Sequence, residues 1–172
     1  RGSAALFESF RMMGGSDTID GRGGIDRVDY SRDEAGVQVD LATHAAIDGF
    51  GGHDRLFGIE NARGSAFADL LRGDRGANRL EGGVGDDRLV GRAGDDQLVG
   101  DVGYDVLIGG AGLDTLWGGG GRDRFVLGTA SDGLDDIADF DLKDVLDLRQ
   151  VTAFVPGDEV DQFIRLRDAA GD

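Results

Sequence analysis

From Gly64 to Val126 the chain repeats with a period of nine residues for seven rows: GSAFADLLR, GDRGANRLE, GGVGDDRLV, GRAGDDQLV, GDVGYDVLI, GGAGLDTLW and GGGGRDRFV. The sixth position reads Asp69, Asn78, Asp87, Asp96, Asp105, Asp114 and Asp123; the eighth reads Leu71, Leu80, Leu89, Leu98, Leu107, Leu116 and Phe125. Glycines early in each row permit a tight turn at positive φ, which residues with a Cβ resist. The x-apolar-x triplet that follows is too short for a helix and suits a strand whose middle side chain points inward. One such strand cannot bury its apolar face alone, so two rows make one coil and alternate rows stack. A disordered Gly/Asp linker has no reason to hold a large apolar residue at every eighth place. The expected fold is therefore all-β, a solenoid of stacked two-strand coils.

Stacking puts the sixth-position acids in columns at about 4.8 Å per coil. Unscreened carboxylates at that spacing repel, so a cation is expected between them. Calcium takes six to eight oxygens from carboxylates and main-chain carbonyls alike, and a glycine turn exposes carbonyls towards its centre. The candidate carbonyl donors are Gly83, Gly85, Gly94, Gly103, Gly110, Gly112, Gly119 and Gly121.

These rows resemble the GGxGxDxUx repeat of RTX proteins. The resemblance implies an all-β parallel β-roll, a solenoid of the right-handed parallel β-helix type, with calcium in its turns. It also implies export by a type I secretion system of a Gram-negative bacterium, and so a secreted, extracellular or cell-surface location. Asp135-Asp-Ile-Ala-Asp-Phe140 followed by Asp144-Val-Leu-Asp-Leu148 resembles the cap that ends many RTX rolls. Leu146, Leu148, Val151, Phe154 and Val155 suit covering that open end, and the alternation of Phe163–Arg167 predicts a further strand. In the family a stretch ending in the secretion signal follows the cap, so the stop at Asp172 reads as a truncation or as a piece of a longer protein; Arg1-Gly2-Ser3 reads as a cloning scar.

The period extends in degenerate form. Rows Met12–Asp20, Gly21–Asp29 and Gly49–Phe57 place Asp17, Asp26 and Asp54 sixth; downstream rows place Asp135 and Asp144 sixth. LFESFR and GIENAR precede aligned segments around Asp17 and Asp69, and are expected to be rungs whose turn binds no metal. Residues 30–48 interrupt the period, and Val37, Val39 and Leu41 alternate as a strand does. With one return strand in that insertion, column one runs Asp26, Asp54, Asp69, Asp87, Asp105, Asp123, Asp144. Column two runs Asp17, two metal-free rungs, then Asn78, Asp96, Asp114, Asp135. An even number of strands would move only Asp17 and Asp26. Neighbours in the columns suggest about six to nine ions, with Asp17 the weakest ligand. The chain divides into irregular coils (1–63), the regular roll (64–126), and degenerate rows with a cap (127–172), all one elongated domain.

Composition sets the remaining bounds. Thirty-four acidic against eighteen basic residues give a net charge of −16, which argues against nucleic acid as a partner and disfavours a compact state without cations. There is no cysteine and one proline, Pro156, so calcium is the staple. The chain is expected to be largely unfolded without calcium and folded with it; extracellular modules bind at about 10⁻⁴ to 10⁻³ M. No run of eighteen apolar residues is present, so no transmembrane helix is expected.

Enzyme motifs of the HExxH and GxSxG type are absent, and His44 and His53 read as solvated. In pairs such as Asp86-Asp87 the second acid reads as a ligand and the first as a surface charge. No catalysis is expected of this segment. Its expected function is that of a calcium-folded export and stability module beside a catalytic or adhesive domain. The alternative is a calcium-scaffolded adhesive or carbohydrate-binding module, with Trp117, outward at position nine beside Val99, as its aromatic platform.

Overall fold

The computed structural model describes residues 7–127 and 133–149, together with the backbone of 164–168. Strands are numbered in chain order. One eight-stranded sheet runs β1 (Phe7–Arg11), β3 (Ile25–Asp29), β7 (Asn61–Arg63), β9 (Arg79–Val84), β11 (Gln97–Gly103), β13 (Thr115–Gly121), β15 (Asp135–Phe140) and β17 (Ile164–Asp168). The other, of nine strands, runs β16 (Val145–Asp147), β14 (Arg124–Val126), β12 (Val106–Ala111), β10 (Arg88–Ala93), β8 (Leu70–Arg72), β4 (Gln38–Asp40), β5 (Ala45–Ile47), β6 (His53–Phe57) and β2 (Thr18–Asp20). Outside the insertion successive strands alternate between the sheets, and every pairing is parallel except β4–β5 and β5–β6. These are the stacked two-strand coils that the nine-residue period predicts, and the parallel β-roll that the resemblance implies.

The eighth-position side chains hold the two sheets together. Leu80 pairs with Leu98, Leu98 with Leu116, and Leu116 with Ile137 in one sheet. Leu71, Leu89, Leu107 and Phe125 do the same in the other. All eight are fully buried, so each coil adds one leucine-sized side chain per sheet to a continuous core.

The insertion departs from expectation. It contributes two strands, β4 and β5, rather than one. β4 lies parallel to β8, the chain turns back through β5, and β6 returns beside β2. An even number of added strands exchanges the sheets to which the earlier rows belong. Asp26 therefore lies in the sheet of Asn78 and Asp96, and Asp17 in the sheet of Asp54 and Asp69, the reverse of the one-strand bookkeeping. The physical reason is length: Ala45-Ala-Ile47 is too short and too alanine-rich to announce itself as a strand, yet Ala46 is buried and closes the inner face.

Downstream, β15 and β16 form where the degenerate rows place them, and β17 pairs with β15. Phe163 and the cap residues Val151, Phe154 and Val155 lie outside the described residues. Among the described residues no helix is long and apolar enough to cross a membrane.

Candidate metal centre

At each sixth position the chain leaves its turn, and the backbone N–H there is donated to the carboxylate one coil further on. Asp69 donates to Asp87 Oδ1 at 2.8 Å, Asp87 to Asp105 at 2.8 Å, Asp105 to Asp123 at 2.9 Å and Asp123 to Asp144 at 3.0 Å. On the opposite edge Asn78 donates to Asp96 at 2.8 Å, Asp96 to Asp114 at 2.9 Å and Asp114 to Asp135 at 3.2 Å. The columns read from the sequence exist in the regular roll, and one oxygen of each acid is committed to holding the coils in register.

The other oxygen is in a different state. Among the described residues, Oδ2 of Asp87, Asp96, Asp105 and Asp123 is buried with no hydrogen-bond partner. It lies against the first glycine of its own row, where a Cβ at Gly82, Gly91, Gly100 or Gly118 would overlap it. Each row thus needs glycine at position one because the carboxylate fills the space a side chain would take. All eight glycines offered above as carbonyl donors adopt positive φ, from +91° at Gly119 to +152° at Gly103. Arg92 and Asp101 take the same left-handed conformation at position two of their rows, with φ of 83° and 77°. A Cβ at Gly110 would overlap the Arg92 carbonyl, and one at Gly103 the Gly85 carbonyl. Carbonyls at positions two and four of one coil therefore face the turn of the next.

Burial pushes the carboxyls of Asp87, Asp96 and Asp105 up to about 7, against the N–H bonds that favour their ionised form. Asp69 and Asp123 are raised by burial in the same sense. A buried carboxylate without a donor is costly unless a cation meets it. The available donors are all oxygens, which suits calcium rather than a softer metal. Among the described residues no three acidic or histidine side chains close on one point. An ion in these turns therefore has to complete its shell with main-chain carbonyls, and the turns supply them.

The remaining predicted positions differ among themselves. Asp69 is closed by its own turn: Oδ2 accepts the Ser65 N–H at 2.6 Å, and Oδ1 accepts the Ser65 hydroxyl at 2.8 Å and the Val37 N–H at 2.7 Å. Asn78 Oδ1 accepts the Asp74 N–H at 2.7 Å, and its amide donates to the Glu60 carbonyl at 2.8 Å. Asp144 Oδ2 accepts the Asp141 N–H at 2.8 Å. Asp54 takes the Asp17 N–H on one oxygen and the Tyr30 hydroxyl on the other, at 2.9 and 3.0 Å. Asp17 is exposed. Asp26 keeps a buried Oδ2 without a partner among the described residues, beside Gly21.

The roles of four acids are not announced by the nonapeptide pattern. Glu60 and Glu8 belong to the column of Asp26: Asp26 N–H donates to Glu60 Oε2 at 2.8 Å, and Glu8 N–H to Asp26 Oδ1 at 2.8 Å. The signal was available, since Glu60 stands two residues before Ala62 as each row's Asp stands two before its leucine. Asp86 and Asp95 are exposed, as read from the sequence, and in addition accept the N–H groups of Tyr104 at 2.9 Å and Leu113 at 3.0 Å, one coil on.

The model of the RTX calcium-binding nonapeptide repeat matches four times, over residues 13–30, 63–98, 90–125 and 99–134, which together span just over half of the chain. A comparison with curated proteins returned no match. Matched over its regular rows, with the β-roll and with turns of oxygen donors around unmet carboxylates, the chain belongs to the RTX family of calcium-binding nonapeptide-repeat domains.

Proposed function

We propose that this domain folds when calcium enters its turns outside the cell, and that it supports the secretion and stability of a larger secreted protein. The observation that carries this reading is the row of buried, unmet Oδ2 atoms at Asp87, Asp96, Asp105 and Asp123. In the calcium-free chain each must be protonated or desolvated at a cost; calcium supplies the missing partner, so its binding energy becomes folding energy. The intervals Asp87–Asp105, Asp105–Asp123 and Asp96–Asp114 are assigned as the principal ion sites, with carbonyls from Gly83, Gly85, Gly94, Gly103, Gly110, Gly112, Gly119 and Gly121. Asp26, Asp135 and Asp144 flank further sites, and the total stays within the six to nine ions suggested by the columns. Asp69 and Asn78 act chiefly as register posts, because protein donors already meet their oxygens.

An unfolded chain suits passage through a type I secretion channel, and millimolar external calcium suits folding after it. Under this reading residues 64–126 form the ion-bearing roll, 1–63 its starting coils and 127–172 its closing end, beside a catalytic or adhesive neighbour. Far-UV circular dichroism during calcium titration tests the proposal. β signal should appear cooperatively with calcium and vanish with excess chelator; full signal in chelator would sink it.

A further inference from the structure

Beside the row aspartate Asp54, the insertion brings two further acids, Asp33 and Asp48, near Tyr30. Tyr30 is fully buried, and Asp33, Asp48 and Asp54 are each at least 96% buried. Asp54 is satisfied by the Tyr30 hydroxyl and the Asp17 N–H. Asp48 Oδ1 accepts the N–H groups of Phe50 at 3.0 Å and Gly52 at 2.5 Å. Asp33 Oδ2 accepts the Gly49 N–H at 2.7 Å, but among the described residues Oδ1 is buried with no partner at all. No ion pair reaches Asp33, Asp48 or Asp54 among the described residues. Among the described residues no basic side chain therefore offsets Asp33 or Asp48, a state that is unfavourable for any buried carboxylate left ionised and unpaired.

The backbone around these acids is also drawn in. A Cβ at Gly49 would overlap the Ala35 carbonyl and lie 2.8 Å from Asp33 Cβ; one at Gly52 would overlap the Gly15 carbonyl and lie 2.6 Å from Asp48 Oδ2. The Ala35 carbonyl and Asp33 thus crowd Gly49, whose N–H Asp33 Oδ2 accepts, and the Gly15 carbonyl and Asp48 Oδ2 crowd Gly52, so carbonyl and carboxylate oxygens approach glycines here as they do in the repeat turns. Burial raises the Asp33 carboxyl, and the nearby charges of Asp48, Asp54 and Asp69 raise it further, against the Gly49 N–H.

We propose that Asp33 and Asp48 hold an additional calcium ion beside Tyr30, at a site outside the nonapeptide repeats that fastens the insertion to the roll. The ion draws its remaining ligands from main-chain carbonyls, as an oxygen cage of two carboxylates requires. The site rests on the domain being a calcium protein but not on the ligand set of the repeat turns.

Equilibrium dialysis of the full chain against radioactive calcium separates the possibilities. Asp33→Asn and Asp48→Asn should each bind one ion fewer than the wild type while keeping the calcium-dependent β signal of the repeats. Terbium replacing calcium should show tyrosine-sensitised emission that falls in Tyr30→Phe and in Asp33→Asn alike, because the Tyr30 carbonyl accepts the Asp33 N–H at 2.9 Å and its hydroxyl bonds the neighbouring Asp54. A wild-type ion count in both Asn variants overturns the proposal and means that Asp33 carries a proton there. Should an Asn variant fail to fold, undiminished terbium emission from Tyr30→Phe overturns it equally. Absence of calcium binding by the wild type would instead sink the proposed function itself.

Discussion

Two aspartates at the same row position, Asp69 and Asp105, are asked to do different things. Each passes its backbone N–H to the next carboxylate in the column. Asp69 is already answered by Ser65, whereas Asp105 has a buried oxygen with no donor and is raised to about 7 by burial. Replacing Asp105 with Asn removes the charge an ion needs at two intervals of one column, and should raise the calcium midpoint of folding about tenfold or more, roughly 1.4 kcal/mol. Asp69→Asn should move that midpoint about twofold or less and instead lose about 1 kcal/mol of thermal stability, because its Oδ2 accepts the Ser65 N–H. Calcium titrations of the two variants side by side check this; equal shifts would mean that ions sit along the whole column. The same carboxyls set a pH dependence. In the unfolded chain an aspartate loses its proton near 3.9, whereas without calcium the folded chain holds protons on Asp87, Asp96 and Asp105 up to about 7. Stability of the calcium-free fold is therefore fullest below about pH 4 and is lost as pH rises through about 7. With calcium the order reverses, since protons compete with the ion for the carboxylates. Circular dichroism in chelator should show more β structure at about pH 4 than at pH 8, and in calcium less.

Turns carry a sharper constraint than strands. Gly119 sits at φ +91°, and a Cβ there would overlap the Asp101 carbonyl of the preceding coil; neighbouring Gly120 has only ordinary contact, 3.9 Å from that oxygen. Gly119→Ala should cost about 1–2 kcal/mol from left-handed strain alone, more with the overlap, whereas Gly120→Ala should stay within about 0.5 kcal/mol. Thermal melts in saturating calcium distinguish them. This is also where the sequence spoke most clearly. The glycine, aspartate and leucine positions of residues 64–126 predicted turn, column and core, because a short exact period leaves one geometry that satisfies all three. The insertion was less legible for a physical reason: Val37, Val39 and Leu41 alternate, but the returning strand β5 carries two alanines, whose small side chains pack without a pattern. That one missed strand exchanged the sheets to which Asp17 and Asp26 belong. Glu60 was missed because a longer acid, followed by alanine instead of leucine, fills the place of an aspartate in the column. Nor does the period reveal that Asp40, on β4, takes a two-point bond from Arg92 on β10 at 2.8 and 2.7 Å, past the intervening strand β8 of the same sheet.

At the scale of the whole molecule, the net charge of −16 offers a competing account of calcium dependence. Cations of any kind relieve the repulsion that disfavours compaction, and about eight divalent ions would cancel the formal charge. Screening and ligation predict different ion selectivity. Sodium chloride at matched ionic strength shortens the Debye length as well as a calcium salt does, so under screening it should restore the fold. Magnesium, at equal charge, should do so as efficiently as calcium. The turns argue otherwise, because their unmet carboxylates are buried, beyond the reach of diffuse counter-ions, and face main-chain carbonyls that must replace an ion's water. Magnesium surrenders its water reluctantly and demands near-octahedral geometry, whereas calcium accepts six to eight oxygens in irregular cages. The expected result is that calcium restores full β signal while magnesium and sodium chloride, at matched ionic strength, contract the chelated chain without ordering it. Circular dichroism together with the hydrodynamic radius reads both steps. Recovery of β structure in magnesium at the calcium midpoint would assign the transition to charge neutralisation and remove the carbonyl cages from the account.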